Sequence, residues 1–211
     1  MNKTPVKIYA RKENVFSQTY LNNMRSHILN SPYLNVSQLG ESFDNTKGFS
    51  LIFKRSTINQ VIDKFPWLKP YLEATLKQAC NAFYCNVLIL ESGTRVAEHT
   101  DCSISSYDMI YTNPRLVSVF YVDIPQDIQG GELVLSLGEE NWQIQPQTNS
   151  LIFFLGHLSH QVNQVTSSQP RISLVCEQYH LSSERLQNIP EFEIKSGAMQ
   201  QQEVKHEIGN N

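Results

Sequence analysis

The sequence predicts an α+β fold that is mainly β, with amino-terminal helices packed on one sheet of an eight-stranded double sheet. Two observations carry that expectation. From residue 86 onward, short apolar runs at 86–91, 116–123, 132–137, 141–144, 150–155 and 171–181 alternate with turn residues, the texture of a sandwich or barrel. Before residue 86, apolar residues fall instead at helical spacing, punctuated by Pro66 and Pro70. The hydrophobic fraction of 40% in 211 residues is enough to build one core.

Taken in order, residues 6–10 read as a short strand and 17–29 as a helix. Ser31-Pro32 and Gly40 mark breaks around a loop. Thr57 is placed to cap a helix through Ile58, Val61, Ile62 and Phe65, and a second helical stretch covers 71–80. These helices carry no recognisable chemistry and are expected to be packing elements. In the β part, Gly130-Gly131 reads as a tight turn, and Asn149 suits a left-handed turn position. After Pro190 the chain is polar and Gln-rich. The expected organisation is one domain over 1–190, divided into a helical region 1–85 and a β core 86–181, followed by a flexible tail 191–211.

A net charge of −3 leaves no basic footprint for a nucleic-acid binder. No apolar run reaches the length of a membrane span, and residues 1–15 lack the apolar stretch of a secretory signal. Cys80, Cys85, Cys102 and Cys176 form no CxxC pair and no zinc spacing, so they are expected to be reduced, mostly buried thiols in a cytoplasmic protein.

Three groups carry chemistry. In His99-Thr100-Asp101, residues two apart on an extended strand share a face, so an imidazole and a carboxylate converge, two-thirds of a facial triad for non-haem Fe(II). His160 lies downstream, just after the strand 150–155, with His157 competing for the same role. His160 is preferred because Val162 and Val165 continue an alternating pattern beyond it. In Arg171-Ile172-Ser173, the arginine and serine share one face of the last strong strand. An arginine inside a sandwich is costly unless a carboxylate meets it. A ligand carboxylate gripped by its planar fork is one partner; Glu177 or Asp123 is the other choice.

As an ordered set, HxD, a distal histidine and RxS eleven residues after it resemble the Fe(II)- and 2-oxoglutarate-dependent oxygenase superfamily, most of all its prolyl-4-hydroxylase-like branch. The run RLVSVFYV at 115–122 is similar to the strand that follows HxD there. GGEL at 130–133 and HQVNQV at 160–165 are similar to that branch's turn and distal-ligand segment. The resemblance spans 86–181 and implies a double-stranded β-helix (jelly-roll) core. It implies that His99, Asp101 and His160 ligate Fe(II), that Arg171 binds the far carboxylate of 2-oxoglutarate, and that Tyr121 and Ser173 assist. It further implies O2 as co-reactant, ascorbate as an optional reductant, and release of succinate and CO2 as a C–H bond is hydroxylated. The substrate expected from it is a peptidyl residue or an amino-acid-like small molecule, without nucleic acid or membrane. Where the branch usually offers a tyrosine before HxD, this chain has Leu88, Ile89 and Leu90.

The apolar residues Val117, Val119, Leu133 and Leu151 are expected to wall the pocket from water, and 102–114 to be its lid. Two other classes compete. A catalytically silent jelly roll that binds a metal or ligand as a sensor would have no need of a full ligand set with the arginine. A hydrolytic zinc enzyme would have no use for RxS. Nothing in the sequence sets an oligomeric state.

Overall fold

The computed structural model describes residues 8–36, 43 and 45–197. The chain runs through β1 (Tyr9–Glu13), α1 (Gln18–Leu29), β2 (Asn35–Val36), β3 (Lys47–Lys54), α2 (Ile58–Lys64) and α3 (Lys69–Thr75). It continues through β4 (Ala82–Leu90), β5 (Val96–His99), α4 (Ser105–Asp108), β6 (Leu116–Asp123), β7 (Gln129–Gly130) and β8 (Leu133–Leu137). The last part comprises β9 (Glu140–Ile144), β10 (Ser150–Leu155), β11 (Ser159–Val162), β12 (Val165–Thr166), β13 (Arg171–Tyr179), α5 (Ser183–Leu186) and β14 (Phe192–Lys195).

An eight-stranded major sheet has the order β1-β10-β6-β13-β4-β3-β14, with β2 also on β3. A four-stranded minor sheet, β5-β11-β8-β9, faces it, and β12 and β7 form a short ribbon. Every pairing is antiparallel. The shape follows from two periodicities. Along β6 and β10, Phe120, Val122, Leu151 and Phe153 point to the helices, while Val117, Val119, Tyr121, Ile152 and Phe154 point to the minor sheet. In α1, Leu21, Met24 and Ile28 are buried at helical spacing against the first of these cores. The double-stranded β core with amino-terminal helices on one sheet is therefore the architecture expected. Both faces of β4 are covered, so all nine of its residues are buried and it reads as a continuous apolar run.

Several local details depart from expectation. Leu151 belongs to the helix-facing core and is no pocket wall, because alternation along β10 turns it away from the minor sheet. Residues 47–54, to which the sequence reading assigned no element, form β3 between β4 and the edge strands β2 and β14, where six consecutive buried residues hide any amphipathic signal. The segment expected to be a flexible tail begins as β14, with Phe192 opposite Phe53 and Ile194 opposite Leu51. Thr57 does not cap α2 through its side chain; its hydroxyl donates to the carbonyls of Lys54 (3.0 Å) and Glu191. The second helical stretch stops at Thr75 rather than Cys80. Residues 1–7, Gly40 and the tail beyond 197 lie outside the described residues.

Asn149 does occupy a left-handed position (φ 65°), and its amide clamps both backbone groups of Phe16, fixing the entry to α1. Gly130 is more than a turn. It pairs with Val165 at φ 72°, and a Cβ there would stand 1.9 Å from the Gln164 carbonyl oxygen, so only glycine lets β7 and β12 meet. No helix among the described residues is long and apolar enough to cross a membrane.

Candidate active site

The minor sheet brings two histidines face to face. His99 ends β5, and its register partner on β11 is His160, with ring centroids 4.4 Å apart. Asp101, just past the end of β5, completes the cluster: its carboxylate oxygens lie 3.3 Å from Nε2 of His99 and 3.5 Å from Nε2 of His160. Ligand atoms of all three lie within 4.8 Å of one another. Nδ1 of each ring faces a backbone carbonyl, Ala97 at 2.8 Å and Leu158 at 3.2 Å, which sets the tautomer that leaves Nε2 as a lone pair toward the centre. Nε2 of His99 and one Asp101 oxygen are buried without a hydrogen-bond partner. Two imidazoles and a carboxylate, converging with unsatisfied lone pairs, fit a divalent transition metal. His157, by contrast, is exposed on the turn before β11 and joins no such cluster among the described residues.

The two imidazoles differ in electrostatics. Burial opposes protonation of His99, but a proton on Nε2 would be donated to the Asp101 carboxylate 3.3 Å away, and that bond together with the Asp101 charge raises its pKa. At His160 burial dominates and lowers it. A deeply buried neutral imidazole is already in the form that binds metal.

Arg171, Ser173, Val175 and Glu177 follow one another on a single face of β13. The Arg171 side chain is 1% exposed, its Nε has no hydrogen-bond partner, and its only hydrogen bond among the described residues is a long one, 3.4 Å, from Nη1 to the Ser173 hydroxyl. Its guanidinium stands 5.0 Å from the centre of the Tyr121 ring, whose hydroxyl is likewise buried and unpartnered. Neither intramolecular candidate reaches it: Asp123 pairs with Arg25 at 2.5 Å, and Glu177 is engaged elsewhere. A buried cation lacking an anion among the described residues, with a phenol and a serine hydroxyl at hand, is chemically complementary to a carboxylate.

A cavity of about 410 Å³ opens between the sheets, lined by the His-Asp-His cluster and by Leu88, Val119, Val175 and Glu177. Arg171, Ser173 and Tyr121 continue the strands beyond that lining. Of the segment 102–114, Cys102 and Ser103 reach the cavity, while Met109 at its tip is 92% exposed.

The residue that the sequence reading undervalued is Glu177, considered there only as a counter-ion. It is 5% exposed and accepts from the backbone N–H (3.1 Å) and hydroxyl (2.5 Å) of Ser103 and from the Tyr179 hydroxyl. The usable signal was period-two alternation, which places 177 on the same face as 171 and 173. Burial and the nearby Asp101 charge push the Glu177 carboxyl up to about 8 against those three hydrogen bonds. The folded chain thus holds this proton more tightly than the unfolded one, and the resulting stability is fully present below about 4.5 and lost as pH rises to about 8. Tyr84, Tyr179, Cys102 and Asp101 surround the group and add no positive charge. Metal-free Glu177→Gln protein should therefore lose less stability between pH 5 and 8 than the parent, as read by urea unfolding; parallel stability profiles would refute this.

Comparison with known proteins matches residues 84–176 to the 2OG-Fe(II) oxygenase superfamily. The matched segment includes His99, Asp101, His160 and Arg171. The fold also has counterparts among solved structures. A Pseudomonas putida prolyl-4-hydroxylase aligns at 15% identity with a TM-score of 0.56, over 83% of this chain and 94% of that one. A 2OG-Fe(II) oxygenase-family oxidoreductase from Burkholderia pseudomallei gives 14% identity and 0.58, over 84% and 87%. A Trichoplax adhaerens prolyl hydroxylase, solved with a hypoxia inducible factor peptide fragment, gives 16% and 0.57, over 83% and 84%. At these identities the likeness is one of fold. Compared by sequence with curated proteins, the chain matches none.

Proposed function

We propose that this protein is a 2-oxoglutarate-dependent dioxygenase that hydroxylates an unactivated C–H bond of a peptidyl residue or amino-acid-like small molecule. The observation that carries the proposal is the buried, unpaired Arg171 beside a preassembled His99-Asp101-His160 cluster. Those three residues would hold Fe(II). With O2, the bound iron and 2-oxoglutarate supply the oxidising power for C–H hydroxylation, and 2-oxoglutarate leaves as succinate and CO2.

The chain's own part is placement. Ala97 and Leu158 carbonyls lock both imidazoles with Nε2 inward. The planar fork of Arg171 fixes the far carboxylate of the cosubstrate, so that its keto end has one orientation, with Tyr121 and Ser173 donating hydroxyls to the same carboxylate. Leu88, Val119 and Val175 keep the cavity apolar between these poles and limit water. Asp101 occupies the third position with a carboxylate, in keeping with hydroxylation.

A peptide substrate is supported by analogy with the peptide-bound Trichoplax hydroxylase, and a nucleic acid is disfavoured because no lysine or arginine among the described residues lines the cavity. Four free cysteines suit a reducing, cytoplasmic setting. The whole packed chain, including β14, is proposed to act as one catalytic unit, with 102–114 as its lid.

The test is succinate formation from 2-oxoglutarate by purified protein with Fe(II), ascorbate and air. Slow turnover without added substrate is expected, and none from Asp101→Ala. If the parent forms no succinate and Fe(II) with 2-oxoglutarate fails to raise its Tm, the proposal is wrong and a silent jelly roll takes its place.

A further inference from the structure

Arg171, on the strand beyond the cavity lining, is not the only buried ionisable side chain here without an oppositely charged partner. At the other end of the same face of β13 stands Glu177, six residues and about 20 Å along the strand. It lines the cavity together with the metal-ligating cluster, and no lysine or arginine pairs with it among the described residues. Its three donors, the Ser103 N–H and the Ser103 and Tyr179 hydroxyls, are neutral groups, and a carboxylate accepts about four hydrogen bonds. One acceptor position is therefore left. A neutral glutamine would hold the Ser103 N–H as well, so anchoring that loop does not by itself account for an acid at this position.

We propose that Glu177 anchors a protonated nitrogen of the substrate, so that the chain acts on an amine- or guanidine-bearing amino acid or peptide side chain. The inference rests on reading the cavity as the active site, and it deepens that reading by naming a substrate class. Charge supports it. In the loaded site the metal and Arg171 would balance Asp101 and the two carboxylates of 2-oxoglutarate, which leaves no cation over for Glu177; a substrate cation would supply the charge against which that carboxyl, held protonated up to about 8 without one, can ionise. Position supports it too. Arg171 takes the cosubstrate at one end of β13, the His-Asp-His cluster stands alongside, and Glu177 marks the end left for substrate. The polar pair Ser50 and Asn86, hydrogen-bonded at 3.0 Å, extends a buried hydrophilic strip across β3 and β4 toward that end, with Asn86 in the cavity wall. Between the two charged poles the apolar Val175 and Leu88 suit the methylene stem of such a side chain.

The experiment is calorimetric titration of the full chain with three probes of similar length: the Nα-acetyl amides of lysine, arginine and norleucine. Titrations are run anaerobically, with and without Fe(II) and 2-oxoglutarate. At least one cationic probe should bind about ten-fold tighter than norleucine, the size of a charge-assisted hydrogen bond. Glu177→Gln should reduce that ratio to about threefold or less. Equal binding of all three probes to the parent, or binding of none, overturns the proposal without recourse to a variant, as does a folded Glu177→Gln protein that keeps the ratio. The two readings separate cleanly. Failure of 2-oxoglutarate to bind strikes the oxygenase function, whereas absence of cation preference in a chain that binds 2-oxoglutarate strikes only the role of Glu177.

Discussion

Arg171→Ala should leave Fe(II) binding near its parental value while weakening 2-oxoglutarate by about two to three orders of magnitude. The size follows from what the side chain lacks. Removing one member of a buried, hydrogen-bonded charge pair costs about 3–5 kcal/mol, and here the other member is the ligand, so the loss falls on affinity. In the free protein the same substitution removes a buried cation with an unpartnered Nε, so fold stability should fall by less than a core truncation of that volume implies. Arg171→Lys should recover only part of the affinity, because a point charge cannot reproduce the two parallel hydrogen bonds of a guanidinium. Titration of 2-oxoglutarate into Fe(II)-loaded protein decides the matter. Unchanged affinity in Arg171→Ala would remove the cosubstrate from this end of the cavity.

Asp101→Ala should reduce metal affinity by at least about 100-fold, more than the loss typical of a mutated supporting residue around a metal site. The carboxylate is the only anionic donor of the cluster, and its two oxygens face both imidazoles at 3.3 and 3.5 Å. A second effect should accompany the first. Asp101 is one of the influences that hold the Glu177 carboxyl up, so its removal should let that group titrate lower. Equilibrium dialysis against Fe(II) or Mn(II) measures the first effect. Parental metal binding in the variant would assign the cluster a structural role instead.

The chemistry of the site was legible because it is written in polar residues at strand spacing. His99 and Asp101, two apart, and Arg171 and Ser173, two apart, each share a face whatever surrounds them. The pairing of His160 with His99 needed only that β11 return beside β5. Elements whose signal depends on tertiary context were harder to read. Residues 49–53 are buried on both faces, so β3 shows no alternation and received no assignment from the sequence. β14 has no buried residue in its four and is held in place by pairing with β3, which no local pattern announces. Leu151 was assigned to the wrong side because its face is set by the register of β10 against β6, not by its own hydrophobicity. Glu177 was visible in the alternation along β13, yet its meaning emerged only once Ser103 and Tyr179 were seen to be its neutral neighbours.

The two walls of the cavity have different owners. His99, Asp101 and His160 belong to the four-stranded sheet and the residues just after β5, whereas Arg171, Ser173, Tyr121 and Glu177 belong to the eight-stranded one. On the proposed reading, a cosubstrate that touched metal and arginine at once would be a rivet through both plates. Metal alone would fasten to the smaller plate, and the keto acid alone to the larger. Together they would tie the plates to one another, so each should bind better in the presence of the other. On that reading, the order in which the components arrive would be a property of the sandwich itself: the gap into which a substrate must fit would be fixed only once the rivet is in place.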